Sequence, residues 1–245
     1  MTLALNPIAF SIGDIHVRWY GIIIACGILL ATFMSIREGQ RRQIMSDDFI
    51  DLLLWGVPIG FIGARIYYVI FEWGYFSQHP DEIIAIWNGG IAIYGGLIAG
   101  AIVLLVFCYR RFLPPFLVLD IVAPGVMAAQ VLGRWGNFMN VEAFGSTTTL
   151  PWRMCGTSIA EYLLQSGYVD QAGYEAVLSG ALGVHPTFFY ESMWNLAGLF
   201  LVYQLGKRWR KYDGECFLFY LCWYGLGRAW IEGLRTDSLY FFGLE

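Results

Sequence analysis

The residues with the clearest chemical potential lie in the stretch 133–145, directly after a long apolar run. Its polar members include Arg134, Asn137, Asn140 and Glu142. An arginine at the centre of a bilayer costs about 3 to 17 kcal/mol, so an ionisable residue at membrane depth predicts a functional site. On a helix, Arg134, Asn137 and Asn140 would share an arc of about 120°. Glu142 would fall outside this arc, and we expect it to mark the end of the helix.

A second polar stripe lies on the last apolar segment of the chain. Tyr224, Arg228, Glu232 and Arg235 would fall within about 80° of one helix face. Arg228 and Glu232 also have the i, i+4 spacing of an ion pair. The sequence thus places one polar stripe, with two arginines, on an otherwise apolar helix.

Two interpretations fit these charges. In the first, they only pair with one another and stabilise a helix bundle. In the second, two or three arginines at headgroup depth form a fork-shaped anion site, and phosphate is the anion most available there. The second interpretation predicts a site for a phospholipid headgroup but names no reaction.

The composition places these charges in a membrane protein. Of 245 residues, 58% are hydrophobic and 14% are charged, and the mean hydropathy is +0.56. Soluble domains carry roughly 25% charged residues. The apolar runs are too long for strands and lack sustained period-2 alternation, which favours helices over a barrel. The sequence therefore predicts an all-α, polytopic transmembrane helical bundle.

We predict six spans within one transmembrane catalytic domain, residues 1–245. A short hairpin around Gly13-Asp14 should precede the first span. The polar segment 141–186 should form a small external head region. The spans are expected at about 19–36, 50–72, 89–109, 117–139, 187–206 and 215–234.

Basic residues predict the orientation of the spans. Nine of the fifteen lie in three clusters, at 37–42, 110–111 and 207–211, which follow the first, third and fifth spans. Under the positive-inside rule these loops are cytoplasmic, so the site beside Arg134 faces outward. Because topology explains the basic clusters, they imply no nucleic-acid partner.

The remaining polar and sulfur-bearing residues are interpreted as structural. The five cysteines show no metal spacing and no disulfide framework, and we expect all five to be core residues, with no metal or cofactor bound. His185-Pro186 should mark the start of the fifth helix rather than a metal site. Arg65 and Glu72, seven residues apart, should share a helix face and could form an ion pair.

The stretch 133–145, Gly-Arg-Trp-Gly-Asn-Phe-Met-Asn-Val-Glu-Ala-Phe-Gly, closely resembles the signature of the bacterial prolipoprotein diacylglyceryl transferase family. Other matches follow the family's order over nearly the whole chain. They are Trp19-Tyr20-Gly21, residues 63–69, Trp87-Asn88-Gly89-Gly90, Gly95-Gly96, His185-Pro186 with Tyr190-Glu191, and the run from Tyr224 to Glu232.

The resemblance implies a transferase of the bacterial plasma (inner) membrane. It would move the diacylglyceryl group of phosphatidylglycerol to the lipobox cysteine thiol of a prolipoprotein signal peptide. A thioether would form and glycerol phosphate would leave. Phosphatidylglycerol, the signal peptide and membrane lipids are the implied partners.

The resemblance also implies roles for residues at matching positions. Arg134 would bind the phosphate, and Asn137 and Glu142 would fix the phosphate and the glycerol. Arg228 would be the second essential cation, oriented by Glu232. The substrate-binding set would further include Asn140, Gly145, Tyr20, Tyr224 and Arg235, and 146–184 would form the family's head region.

The chain departs from the family in two places. Many members have histidine before the paired glycines, where this chain has Tyr94. Tyrosine titrates near 10, so either Tyr94 only donates a hydrogen bond or the base lies elsewhere, with Glu142 the next candidate. Members also have one more apolar helix after the segment that matches 236–245, which suggests a shortened chain.

Two other functions are compatible with arginines in apolar helices. A transporter or lipid flippase would use them to line a pathway, although we find no inverted repeat and the charges gather toward one side. A non-catalytic scaffold would bind lipid without turning it over. Only the transferase predicts a diacylglyceryl adduct on a lipobox peptide.

Overall fold

The computed structural model describes residues 6–13 and 15–234 and is mainly helical. The long helices occupy the uninterrupted apolar runs, because a helix satisfies all its backbone groups internally. In the described residues the α-helices, long and short, are α1 (Trp19–Arg41), α2 (Ser46–Phe71), α3 (Trp73–Phe76), α4 (Ile93–Arg111), α5 (Pro115–Asn140), α6 (Thr157–Gln165), α7 (Gln171–Leu178), α8 (Thr187–Gln204) and α9 (Glu215–Glu232).

Short antiparallel strands accompany the helices. Strands β1 (Ile8–Ile12) and β2 (Ile15–Arg18) pair directly before α1, which confirms the predicted hairpin. Strands β3 (Thr147–Thr148) and β4 (Gly183–Val184) contain two residues each and pair within the segment 141–186.

Four of the six predicted spans have the length and apolarity needed to cross a membrane in the described part of the chain: α1, α2, α4 and α5. Helices α8 and α9 form at the predicted positions, with 18 residues each, but do not meet that criterion. The prediction of six spans is therefore not confirmed. Polar residues such as Glu191 and Arg228 lower the hydropathy of these two helices.

The chain divides into two compact units. Unit 1 comprises residues 1–31 and 123–245, and unit 2 comprises residues 32–122. The prediction of one catalytic domain over 1–245 stays a prediction.

Unit 2 is built on the contact between α2 and α4. A Cβ added to Gly63 would lie 2.8 Å from the carbonyl oxygen of Gly95, and one added to Gly95 would lie 2.3 Å from that of Gly63. The two backbones thus touch, as small residues permit in membrane helices. At the far end of α4, Arg111 pairs with Asp48 at 3.6 Å and Asp51 at 2.5 Å on α2.

The predicted ion pair between Arg65 and Glu72 is wrong. The Arg65 side chain is buried and donates to backbone carbonyls of the loop that follows α3. Glu72 lies at the end of α2, is exposed, and caps that helix through its backbone N–H. A spacing of seven residues would place both on one face of a continuous helix, but α2 ends at Phe71, directly before Glu72.

A hydrogen bond ties α3 to the same loop. The hydroxyl of Tyr75 donates to the Glu82 carboxylate at 2.9 Å. This bond, together with burial and the charges of Glu82 and Asp81, raises the pKa of Tyr75 above its ordinary value of 10.0. The neutral phenol is favoured by folding, so this contribution is present below pH 10 and is lost as the pH rises through the folded-state pKa.

The segment 141–186 of unit 1 has its own apolar core. Helices α6 and α7 pack on residues from both flanks of the segment, and Ile159, Leu163, Val177 and Val184 are fully buried. This core explains why a polar stretch forms ordered structure.

The expectation that all five cysteines are core residues is wrong for two of them. Cys26 and Cys222 are exposed, whereas Cys108, Cys155 and Cys216 are buried, and none of the five forms a disulfide. Cys26 and Cys222 lie on apolar helices. Sequence cannot separate the packed face from the outer face where a helix is apolar all round.

Helices α8 and α9 are held together by two tryptophans. The Trp194 and Trp223 rings stack with centroids 4.4 Å apart, and each indole N–H donates to the other residue's carbonyl at 2.9 Å. Two glycines make room for them: a Cβ added to Gly198 would lie 2.3 Å from Trp223, and one added to Gly227 would lie 2.4 Å from Trp194.

The variant Gly227→Ala is therefore expected to destabilise the protein. Its methyl group would displace the Trp194 ring, and overpacking of this kind costs about 1 to 3 kcal/mol. Gly225→Ala is the matched control, because a Cβ there meets nothing within 4 Å. Thermal unfolding in detergent should show a lower midpoint for Gly227→Ala and an unchanged or higher midpoint for Gly225→Ala. Equal midpoints would contradict the tight packing.

Candidate active site

The site centres on the last turns of α5. Arg134 is mostly buried, and its Nη2 lies 2.5 Å from Oε2 of Glu191 on α8. Arg134 therefore has a carboxylate partner 57 positions further along the chain. An arginine in an apolar helix needs such a partner, because an uncompensated buried charge is strongly unfavourable.

Glu191 bridges two arginines from different helices. The residue is buried, and its Oε1 lies 3.6 Å from Nη1 of Arg228 on α9. Arg228 also pairs through Nη2 with Glu232, one turn further along α9, which confirms the predicted i, i+4 pair. The structure thus brings Arg134, Arg228 and Glu232 together around Glu191, a network with two positive and two negative charges.

These ion pairs use only part of each guanidinium. A guanidinium has five N–H donors in a fork. Among the described residues, Arg134 contacts its partner through Nη2 alone, and Arg228 contacts its partners through Nη1 and Nη2. Both arginines therefore pair with carboxylates, and the pairs leave N–H groups on both arginines for a further anion.

A small cavity borders this network. It has room for about one water molecule. Tyr224 and Arg228 of α9 line it together with Glu191 and Asn195 of α8. Asn195 is buried. The cavity is too small for a lipid headgroup.

The chain reverses sharply where α5 ends. Val141 and Ala143 have positive φ angles of 53° and 54°, in the left-handed region that is strained for residues other than glycine. The turn brings the carboxylate of Glu142 back onto the helix, where Oε1 accepts hydrogen bonds from Asn137 at 3.1 Å and Asn140 at 3.2 Å. Glu142 marks the helix end, as predicted.

Asn140 and Glu142 each keep an acceptor without a partner. Among the described residues, the buried Oδ1 of Asn140 has no hydrogen-bond partner. Oε2 of the exposed Glu142 has none there either, because both asparagine amides bind Oε1. A buried group without a partner, as at Asn140, is uncommon in proteins and is a candidate for a ligand contact.

Gly145 joins this turn to α8. Its N–H donates to the carbonyl of His185 at 2.9 Å, and a Cβ there would lie 2.6 Å from the carbonyl oxygen of Leu234. The contacts require a glycine for close backbone approach. Helix α8 starts at Thr187, directly after His185-Pro186, as expected, and Nδ1 of His185 lies 3.3 Å from the Tyr190 hydroxyl.

The other predicted residues lie in different places. Tyr20, on α1, packs on α5 in unit 1: a Cβ added to Gly136 would lie 2.8 Å from its ring. Tyr94 lies on α4 in unit 2, is 61% exposed, and has its ring centroid 6.4 Å from that of Tyr67. Arg235 lies outside the described residues.

Glu191 is the residue that the sequence reasoning missed as a member of the site. In the sequence it stands only within the Tyr190-Glu191 motif, for which the resemblance implies no role. The rule that flagged Arg134, an ionisable residue within an apolar helix, applies equally to Glu191. Its pairing with two other helices is a tertiary contact and has no local spacing to reveal it.

Comparison with known proteins supports the resemblance noted in the sequence. Residues 7–245 match the sequence model of the family described as prolipoprotein diacylglyceryl transferase.

Three relatives, each named phosphatidylglycerol–prolipoprotein diacylglyceryl transferase, illustrate the similarity. The protein of Lactobacillus delbrueckii subsp. bulgaricus is 71% identical over 245 residues, covering 100% of this chain and 84% of the relative. That of Lactobacillus gasseri is 61% identical, covering 98% and 83%. That of Streptococcus agalactiae serotype Ia is 50% identical, covering 98% and 88%. The chain belongs to the prolipoprotein diacylglyceryl transferase family.

Proposed function

We propose that the protein transfers the diacylglyceryl group of phosphatidylglycerol to the lipobox cysteine thiol of a prolipoprotein. The observation that carries this proposal is the pair of arginines, Arg134 and Arg228, held by Glu191 at family-signature positions. The relatives' name supplies the two substrates, phosphatidylglycerol and a prolipoprotein. The products are a thioether and glycerol phosphate.

The two arginines stabilise the leaving phosphate. The thiolate sulfur attacks the lipid's glyceryl carbon, the bond from that carbon to the phosphate oxygen breaks, and the phosphate gains one negative charge. Cationic donors fixed where charge develops lower the barrier, and removing one such donor costs about 10² to 10³ in rate. The N–H groups that Arg134 and Arg228 do not spend on Glu191 and Glu232 would take this role.

Glu191 and Glu232 set the orientation of the arginines. A carboxylate between two guanidiniums prevents them from repelling each other and limits the rotamers of both. Glu191 lies between Arg134 and Arg228, and Glu232 holds Arg228 from the other side. A phosphate arriving at this network meets a pre-arranged fork, which saves the ordering cost of two long side chains.

The turn after α5 would hold the glycerol and accept the thiol proton. Asn137 and Asn140 fix one oxygen of Glu142, and the other has no partner among the described residues. We assign that oxygen as the acceptor of the thiol proton and Tyr94 as a hydrogen-bond donor. Gly145 would keep the turn close to α8.

The remaining predicted residues would contact the lipid. Tyr20 packs beside Gly136, two residues after Arg134, and Tyr224 lines the cavity next to Arg228. Both aromatic rings would lie along the acyl chains or the glyceryl ester. Arg235 would add a third cation to the phosphate.

The protein is a multi-pass membrane protein, with several apolar helices and the family's identity. Its location in the bacterial plasma membrane and its orientation are part of the proposal. The basic clusters at 37–42, 110–111 and 207–211 support an outward-facing Arg134, with the segment 141–186 outside as the head.

A purified enzyme assay tests this function. The full chain in detergent is incubated with phosphatidylglycerol and a lipobox peptide, and mass spectrometry monitors the diacylglyceryl adduct. We expect an adduct on the cysteine and an equal amount of released glycerol phosphate. A peptide with serine in place of cysteine is the control and should remain unmodified.

The adduct assay, together with a lipid-binding measurement and a lipid-transfer measurement in reconstituted vesicles, separates the competing functions. A non-catalytic scaffold would bind phosphatidylglycerol without forming an adduct. A flippase would move a labelled lipid between vesicle leaflets without an adduct. Either result would contradict the transferase.

A further inference from the structure

The structure brings together two motifs to which the proposed chemistry assigns no role, the run 63–69 on α2 and Trp87-Asn88-Gly89-Gly90 before α4. Arg65 of the first motif is buried. Its guanidinium donates to the carbonyls of Gly89 at 2.7 Å and Gly90 at 2.6 Å, which belong to the second. It also donates to the carbonyls of Ile83 at 2.8 Å and Glu82 at 2.6 Å.

This guanidinium is neutralised by backbone dipoles rather than by a carboxylate. Four of its N–H donors are spent on carbonyls, and no salt bridge involves it among the described residues. The side chain also packs over aromatic rings, with Cζ 5.1 Å from the Phe76 centroid and 5.9 Å from the Tyr68 centroid. A planar fork that binds four carbonyls of one loop fixes the path of that loop.

The loop is shaped to meet Arg65. Gly89 and Gly90 have φ angles of +87° and +76°, which L side chains rarely adopt and which turn their carbonyls toward the guanidinium. A Cβ on Gly90 would lie 2.6 Å from Nη1 of Arg65 and 2.7 Å from the Tyr68 ring. Glycine at this position is therefore required by both the backbone conformation and the space.

The end of the loop is the start of α4. The N–H of Ala92 donates to the carbonyl of Ala64 at 3.0 Å, and the helix begins at Ile93. Tyr94 is thus four residues from the last carbonyl that Arg65 binds. The Gly63–Gly95 backbone contact fixes the same turn from the other side. Arg65 and this contact together set the position of the Tyr94 backbone within unit 2.

We propose that Arg65 is a positioning residue for the reaction, acting through Tyr94 by fixing the loop 82–92 and the first turn of α4. The proposal rests on the proposed function, in which Tyr94 donates a hydrogen bond. The role of Arg65 differs from that of Arg134 and Arg228, because its N–H groups bind backbone carbonyls and would not bind the substrate phosphate.

A double-mutant cycle tests this role. Arg65→Lys keeps the charge but cannot bind four carbonyls, and we expect kcat for adduct formation to fall about tenfold, because small misplacement of a reacting group has large rate effects. KM for phosphatidylglycerol should stay within about twofold, since phosphate is bound elsewhere. In a Tyr94→Phe background, the same Arg65→Lys change should lower kcat less than about twofold, the sign of coupled residues.

Arg111→Lys is the matched control. Arg111 also joins α2 to α4, at the opposite end of the helix pair, through Asp48 and Asp51. Its effect on kcat should be the same with Tyr94 and with Phe at position 94. An arginine that only stabilises the helix pair would lower kcat independently of the residue at position 94. The control therefore distinguishes a role in positioning Tyr94 from a role in stability.

Other outcomes overturn the proposal. Equal loss from Arg65→Lys in both backgrounds would make Arg65 structural only, and a fully active Tyr94→Phe enzyme would remove the residue through which it acts. If Arg65→Lys does not fold, Gly90→Ala disturbs the same contacts from the loop side and must show the same coupling to Tyr94. A wild-type chain that forms no adduct would remove the proposed function and this role with it, whereas an active wild type without coupling removes only this role.

Discussion

Arg134→Ala is expected to lower the rate of diacylglyceryl transfer at least about hundredfold, the usual cost of removing a donor aimed at developing charge. Arg134 contacts Glu191 through Nη2 alone, so its other N–H groups would bind the leaving phosphate. Alanine removes these donors and the charge. Arg134→Lys should recover part of the rate, because an ammonium keeps the charge but lacks the fork.

Initial rates of adduct formation, followed by mass spectrometry, measure this effect. Arg208→Ala is the control, since Arg208 is exposed and its side chain forms no hydrogen bond or ion pair among the described residues. It should have the wild-type rate. An Arg134→Ala enzyme with a rate within about threefold of wild type would make the ion pair to Glu191 purely structural.

Glu191→Gln is expected to affect stability and catalysis together. Glutamine keeps the shape of the side chain but leaves two mostly buried guanidiniums without their shared charge. Removing one partner of a buried ion pair costs about 3 to 5 kcal/mol, so the midpoint of thermal unfolding should fall. We also expect kcat to fall about tenfold or more, because Arg134 and Arg228 lose their common orientation.

The KM for phosphatidylglycerol distinguishes this effect from loss of binding. The lipid phosphate would bind N–H groups that Glu191 does not use, so KM should change less than kcat in Glu191→Gln. Glu161→Gln is the control, since Glu161 is exposed on α6 of the same unit. An unchanged unfolding midpoint and an unchanged kcat for Glu191→Gln would show that the bridge carries neither role.

Local sequence patterns predicted the parts of the site that depend on local geometry. The Arg228–Glu232 pair follows from i, i+4 spacing on one helix. The end of α5 near Glu142 follows because Glu142 falls outside the arc shared by the polar residues before it. The positions of the long helices follow from uninterrupted apolar runs, which leave no other backbone structure in a bilayer. The hairpin before α1 follows from alternation around a glycine turn.

Contacts between distant segments could not be predicted in this way. Helical spacing pairs Arg65 with Glu72, but the partners of Arg65 lie 17 to 25 residues further along the chain. Glu191 has no partner on its own helix and gains its role from α5 and α9. Helices α6 and α7, with nine and eight residues, are too short to be stable alone and depend on the core that they share.

A rate comparison of four enzymes tests the central claim, that Arg134 and Arg228 act as one phosphate site. The wild type, Arg134→Ala, Arg228→Ala and the double variant are compared by initial rates of adduct formation on a lipobox peptide. Residues that act as a unit give single losses almost as large as the double loss, so we expect the three variants to agree within about tenfold. If either single variant keeps most of the wild-type rate, or if the two losses multiply in the double variant, the shared phosphate site is contradicted.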